Sequence, residues 1–150
     1  MIEKILGINE LFSTDKPIGY TCYGLGSCIG LFINDRMKGL SGGAHIALPR
    51  ATKSEFIDAE KLINGLLQQL SEQGSNLLTL RAKVTGGAQV FKSSINIGKE
   101  NSEVVLKQLT DKRIFIAAID VGGQVSRTAR FNGESGELKI STSEHKTYII

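Results

Sequence analysis

Glycine, rather than proline, divides this chain into short segments, and that pattern limits the folds that it can adopt. The 150 residues include 17 glycines and only 2 prolines, and several of the glycines stand in pairs. The segments between them are rich in β-branched and aromatic residues, which is typical of strands of four to eight residues. The turn in FNGESGEL predicts a hairpin between the last two long strands. The predicted strands are residues 18–24, 28–35, 42–48, 78–87, 113–123, 125–132 and 137–143, with 146–150 as a further edge strand.

Two segments have the periodicity of helices instead. Apolar residues recur at three-and-four spacing from Glu55 to Gln73, and Gly74 follows as a stop signal. The second predicted helix is NIGKENSEVVLKQLTDK, with Asn101 or Ser102 as its cap. Strands in runs, with about two helices, favour a mixed α/β sandwich of the α+β kind over a doubly wound sheet. The length fits a single domain spanning residues 1–150.

Composition excludes several classes of protein. The formal charge is only +3 and no stripe of lysine and arginine is present, so nucleic acid is not an expected partner. No apolar stretch approaches the roughly 20 residues of a membrane span, and the first residues lack the pattern of a signal peptide. We therefore expect a cytoplasmic protein whose two cysteines are free thiols.

One cysteine and one histidine stand in sequence contexts that suit catalysis. Cys28 follows a glycine-bearing turn whose backbone N–H groups, around Gly26 and Ser27, are suited to bind an oxyanion. His45 follows two glycines and is a candidate base for a cysteine nucleophile. The same spacing also fits a buried core thiol and a hydrogen-bonded core histidine, and from spacing alone both interpretations stay open. A zinc site formed with Cys22 and His145 lacks ligand spacing, so no metal is expected.

The order of five motifs resembles one family. LGSCIGLFIND, GLSGGAHIALP, KVTGGAQVF, INIGKENSEVVLKQL and DVGGQVSRTARFNGESGEL occur in this order from about residue 7 to residue 140. This resembles the CheD family, the chemoreceptor glutamine deamidases of bacterial and archaeal chemotaxis. The resemblance implies that Cys28 is the nucleophile and that His45 is its base and acid. It also implies an α/β sandwich of mixed sheets with flanking helices, similar to the fold of the cytotoxic necrotizing factor toxins.

The resemblance further implies an activity and its partners. The protein would convert glutamines on the cytoplasmic helices of methyl-accepting chemoreceptors to glutamates through a thioester, without a cofactor. A CheC-type phosphatase is the second implied partner. Two alternatives are a catalytically weakened adaptor for receptors or phosphatase and a cysteine hydrolase of small amides.

The chain departs from the family pattern at Cys22. The family has a threonine six residues before the nucleophile, which orients the histidine, and here that position is Cys22. Thr21 would replace it only if a bulge shifted the strand register. A cysteine sulfur is a weak acceptor, so a backbone carbonyl is the alternative partner of the imidazole. The pair Gly86 and Gly87 is expected to shape a substrate-binding loop near the site.

Overall fold

The computed structural model describes all 150 residues, from Met1 to Ile150, and contains two five-stranded sheets and two helices. The first sheet has the strand order β1-β3-β8-β9-β10 and the second has the order β2-β5-β4-β6-β7. Each sheet is mixed, because β1 pairs with β3 in parallel and β6 pairs with β7 in parallel, whereas the other pairs are antiparallel. The strands are β1 (Glu3–Ile5), β2 (Leu11–Thr14), β3 (Gly19–Leu25), β4 (Ile29–Asp35), β5 (Leu40–Ile46), β6 (Arg81–Gly86), β7 (Phe115–Val121), β8 (Arg127–Asn132), β9 (Leu138–Thr142) and β10 (Thr147–Ile149).

Three layers result, with the second sheet in the middle. Helices α1 (Ala59–Glu72) and α2 (Ile97–Asp111) pack on one face of this sheet and bury a cluster of 19 side chains, the sheet–helix core. The first sheet covers the other face. The apolar side chains between the sheets form the inter-sheet core: Leu6, Ile18, Tyr20, Cys22, Leu25, Phe32, Ala129, Phe131, Leu138 and Ile140.

The central strand β4 shows why the sequence adopts this arrangement. All seven residues of β4 are buried, which matches its nearly continuous apolar run. Alternate side chains serve the two cores: Leu31 and Ile33 face the helices, and Phe32 faces the first sheet, where it stacks on Phe131. The segment just before β4 therefore lies at the end of the central, fully buried strand of the second sheet.

The prediction of a mixed α/β sandwich with two flanking helices is confirmed, as is the hairpin between β8 and β9. The structure has ten strands, whereas the sequence predicts seven and the edge strand 146–150, and the two additional strands are the short β1 and β2. The first helix begins at Ala59 rather than Glu55, since the side chain of Asp58 accepts a hydrogen bond from Lys61 N and caps the helix there. Neither helix combines the length and the apolar composition needed to cross a membrane.

The N-cap of the second helix is not the one that the sequence predicts. Its N-cap is Asn96, whose side chain accepts from Lys99 N, and neither Asn101 nor Ser102 caps it. Both of these residues lie inside the helix and are buried. The physical reason is that Asn96 already supplies a side-chain acceptor for the N–H of Lys99, so the helix starts five residues before the position that a cap at Asn101 would give.

Candidate active site

Cys28 lies where the chain crosses from the first sheet to the second. It follows the turn at Gly26 and Ser27, which connects β3 to β4, and directly precedes Ile29, the first residue of β4. Its side chain is half-buried and packs against the inter-sheet core. Residue 28 is thus partly exposed, and it lies between the end of β3 in the first sheet and the start of β4 in the second.

His45 lies on β5, the neighbour of β4, and is almost fully buried. It is paired across the sheet with Gly30. Because side chains alternate along a strand and paired residues share a face, Cys28, two residues before Gly30, is on the same face as His45. Such diagonal neighbours in antiparallel pairs have Cβ atoms within about 8 Å. The fold therefore places Cys28 and His45 as diagonal neighbours on one face of the second sheet, and no direct hydrogen bond joins their side chains.

A backbone carbonyl fixes the imidazole of His45. Its Nδ1 lies 2.9 Å from the carbonyl oxygen of Leu6. A carbonyl only accepts, so Nδ1 must carry the proton and Nε2 is left as the basic nitrogen. Leu6 is itself anchored, because its N–H donates to Thr21 O at 2.8 Å and its side chain is buried. The backbone of His45 is held as well, by Asn9 N and Glu10 O at 2.9 and 3.0 Å.

Cys22 is close to the site but is not the partner of His45 Nδ1. Its side chain is fully buried in the inter-sheet core, and no hydrogen bond joins it to His45. Burial, together with the nearby Cys28 thiol, raises the pKa of Cys22 to about 12. Thr21 does not replace it, because its hydroxyl points to the other face and donates to the Glu3 carboxylate. The irregularity in β3 lies after Cys22, so it does not turn Thr21 inward.

The glycine pair at the end of β6, Gly86 and Gly87, contacts the backbone of Cys28. Gly87 N donates to Cys28 O at 2.9 Å, and a Cβ on Gly86 would overlap the same oxygen. Both glycines have positive φ angles, +107° and +63°, which L side chains rarely adopt. The structure thus places Gly86 and Gly87 against the backbone of Cys28, and the predicted contact with substrate stays a prediction.

The N–H groups of the turn are free. Gly26 O accepts from Ala88 N at 2.8 Å and Cys28 O accepts from Gly87 N, so these carbonyls are held toward the two residues that follow β6. In a trans peptide the N–H points opposite to the preceding carbonyl, and the chain has no cis peptide bond. The N–H of Ser27 therefore points away from Ala88, and neither it nor the N–H of Cys28 donates to a protein acceptor. Free, fixed donors beside a thiol are suited to hold an oxyanion.

Burial also sets the resting state of the Cys28 thiol. It raises the pKa of this group above its ordinary value of 9.0, so the neutral thiol is the resting form near pH 7. A nucleophilic reaction at Cys28 consequently requires a base that removes the proton during attack. His45 Nε2 is the basic nitrogen on the same face.

A cleft of about 500 Å³ adjoins the turn. Gly26 and Ser27 form one side of it, and residues 88–91 and 95–98 form the other. Val90 and Phe91 in this wall are exposed, and Phe91 is 85% accessible. No group of three or more histidine, cysteine, aspartate or glutamate side chains is arranged to hold a metal ion. The cleft therefore offers an open, partly apolar approach to the turn that precedes Cys28.

Two contributors to the site had no recognisable signal in the sequence. One is the carbonyl of Leu6, since any residue can supply a main-chain oxygen. The other is Asn101 on α2, whose side chain reaches the Cys28 turn and which the sequence suggested only as a helix cap.

Comparison with known proteins identifies relatives along most of the chain. The family model described as CheD chemotactic sensory transduction matches residues 41–142. A protein of Halalkalibacterium halodurans named chemoreceptor glutamine deamidase CheD is 38% identical over 148 residues, which cover 91% of this chain and 91% of the relative. A protein of the same name from Thermotoga maritima is 33% identical over 143 residues, covering 93% and 91%.

Solved structures give weaker matches. The Bacillus licheniformis hypothetical protein YfiH has a TM-score of 0.42 at 12% identity and covers 74% of this chain and 51% of its own. The Neisseria meningitidis protein NMB0706, of the family DUF152, has a TM-score of 0.43 at 12% identity, with 83% and 63% covered.

Proposed function

This chain belongs to the CheD family, and we propose that it is a chemoreceptor glutamine deamidase whose nucleophile is Cys28. The names of its relatives supply the reaction and the substrate class. The observation that carries the assignment of residues is the pairing of β4 with β5, which sets Cys28 and His45 on one face with the Nδ1 of the imidazole already bound by Leu6 O. The deamidase unit in this proposal spans residues 1–150.

In the first half of the reaction the glutamine side chain is transferred to the enzyme. His45 Nε2 takes the thiol proton as Cys28 Sγ bonds to the amide carbon, and the carbonyl electron pair moves onto oxygen. The N–H groups of Ser27 and Cys28 donate to that oxyanion. The imidazolium then gives its proton to the departing nitrogen, the carbon–nitrogen bond breaks, and ammonia leaves behind a thioester.

In the second half water releases the product. His45 takes a proton from water as the new carbon–oxygen bond forms, and the collapse of the intermediate breaks the carbon–sulfur bond. The Cys28 sulfur regains a proton and the substrate carries a glutamate. The receptor helix gains one negative charge at each converted position. These steps use only protein groups and water, and a CheC-type phosphatase is the partner that we expect to compete for the receptor-binding face.

The test is to incubate the purified protein with cytoplasmic fragments of chemoreceptors and to map amide-to-acid conversions by peptide mass spectrometry. The chain offers a matched control, because it has only two cysteines. We expect conversion by the wild type and by Cys22→Ala, and none by Cys28→Ala. Conversion by Cys28→Ala at the wild-type rate would refute the assignment of the nucleophile. Binding of the fragments without any conversion by the wild type would instead support the adaptor alternative.

A further inference from the structure

The side chain of Asn101 connects the two catalytic segments. Asn101 lies inside α2 and is fully buried. Its Nδ2 donates to Ser27 O at 2.9 Å and to Ala47 O at 3.1 Å. Ser27 directly precedes Cys28, and Ala47 follows His45 by two residues. One carboxamide thus joins the turn before β4 to the end of β5.

The NH2 group of the Asn101 carboxamide, rather than its oxygen, contacts the two catalytic segments. Both neighbours are carbonyl oxygens, which only accept, so the NH2 group must face them and both of its hydrogens are used. Oδ1 is buried without a protein partner. A buried unpaired oxygen costs free energy, and an apolar side chain would avoid that cost. Neighbouring Ser102 differs, because its hydroxyl donates only to Gly98 O within the same helix.

The contact with Ser27 O determines where the Cys28 N–H points. These two groups belong to one planar trans peptide and point in opposite directions. When Asn101 holds the carbonyl toward α2, the N–H of Cys28 is directed away from α2, with no protein acceptor in front of it. A rotation of this peptide would turn the donor away from the position of a developing oxyanion.

We propose that Asn101 is a positioning residue that orients the Cys28 N–H as an oxyanion donor and keeps the end of β5 in register with it. This inference rests on the proposed function in taking Cys28 as the nucleophile. Its consequence is specific: reactions at Cys28 that pass through an oxyanion depend on Asn101, whereas reactions that form none do not.

Two small reagents that react with Cys28, one through an oxyanion and one without, test this difference in the absence of a receptor. p-Nitrophenyl acetate acylates a thiol through a tetrahedral oxyanion, whereas iodoacetamide alkylates it by direct displacement of iodide. Both reactions need the same thiolate, so the ratio of their rates removes any effect on the ionisation or exposure of Cys28. The rate in Cys28→Ala gives the reaction at other groups and is subtracted from each measurement.

We expect Asn101→Ala to lower acylation of Cys28 by about tenfold or more and to change alkylation by less than about threefold. Ser102→Ala, the matched control from the same buried helix face, should leave the ratio at the wild-type value. Equal changes in the two rates, or no change in either, would overturn the proposal. So would the absence of Cys28-dependent acylation in the wild type.

Asn101→Asp provides a second variant of nearly the same shape. Its protonated carboxyl can donate to Ser27 O, but its carboxylate can only repel that oxygen. The ratio of acylation to alkylation should therefore fall as the pH rises in Asn101→Asp and stay flat in the wild type. A flat ratio in this variant would contradict the proposal even if Asn101→Ala does not fold. The two proposals can also fail separately. If the ratio depends on Asn101 as expected but the wild type converts no receptor glutamine, the deamidase proposal is refuted and the positioning role of Asn101 is still supported.

Discussion

Replacing Cys22 by threonine should remove a loss of stability at alkaline pH. Cys22 is fully buried, and burial is the larger cause that raises its pKa from 9.0 to about 12. The folded chain therefore keeps this thiol protonated at pH values where the unfolded chain has already released the proton. Threonine at the same position has no group that ionises in this range.

The sign and size of the effect follow from proton linkage. Below pH 9 the thiol is protonated in both states and the free energy of unfolding does not depend on its ionisation. Between the unfolded value of 9.0 and the folded value of about 12, the unfolded chain binds fewer protons, so the free energy of unfolding falls as the pH rises. At pH 10, one unit above the unfolded value, the loss is about 1 kcal/mol, and at pH 8 it is negligible.

The assay is urea unfolding at pH 8 and pH 10, under reducing conditions, of Cys28→Ala and of Cys28→Ala combined with Cys22→Thr. In this background Cys22 is the only thiol, because the chain has two cysteines. Tyr20, whose pKa burial raises to about 12, is present in both proteins and cancels. The difference in free energy of unfolding should shift by about 1 kcal/mol in favour of threonine between the two pH values, because burial, the larger cause of the raised pKa, is unchanged in this background. A difference that is the same at both pH values would refute the argument from burial.

Three further predictions concern the site and its support. Cys22→Thr should leave deamidase turnover within about twofold of wild type, because Leu6 O already holds His45; a clear rise in kcat would instead indicate orientation by the side chain. Gly86→Ala should lower kcat by about tenfold or more, since its Cβ would displace the backbone of Cys28, and wild-type kinetics would contradict that close approach. Arg127→Met should lower the free energy of unfolding by about 3 kcal/mol in urea titrations, because it breaks a largely buried ion pair; a loss below about 1 kcal/mol would mean that the pair adds little.

The strands and helices that the sequence predicted are those with a strong local pattern. β4 is an apolar run between polar turns, and α1 repeats apolar residues on one face. β1 and β2 were missed because they have three and four residues, too few to establish alternation. They are strands because β3 and β5 offer them backbone partners, which is a property of the folded sheets rather than of the segments.

The candidate site can be predicted from the sequence to the extent that it uses distinctive side chains in distinctive turns. Cys28 and His45 met that condition, and the antiparallel pairing of their strands puts them on one face. Leu6 did not, because its contribution is a carbonyl oxygen that any residue would supply. The sequence points to Asn101 as a helix cap, since asparagine favours caps, whereas its side chain in the structure binds carbonyls 74 and 54 residues away in the chain. Contacts between residues far apart in the chain, made by main-chain carbonyls or a single carboxamide, produce no local sequence pattern from which they could be predicted.

The Leu6 carbonyl also gives a physical reason why Cys22 is compatible with an active site. A side-chain acceptor at residue 22 would be needed only if Nδ1 had no other partner, and at 2.9 Å from Leu6 O it has one. Three contacts hold the Leu6 segment in place. The Leu6 N–H donates to Thr21 O, and the Leu6 side chain is buried. Asn9 and Glu10, a few residues further on, form backbone hydrogen bonds with His45. A main-chain acceptor held in this way does not change when a neighbouring side chain is substituted. The partner of His45 Nδ1 is therefore a carbonyl held directly after the pairing of β1 with β3, and the side chain of Cys22 packs in the inter-sheet core.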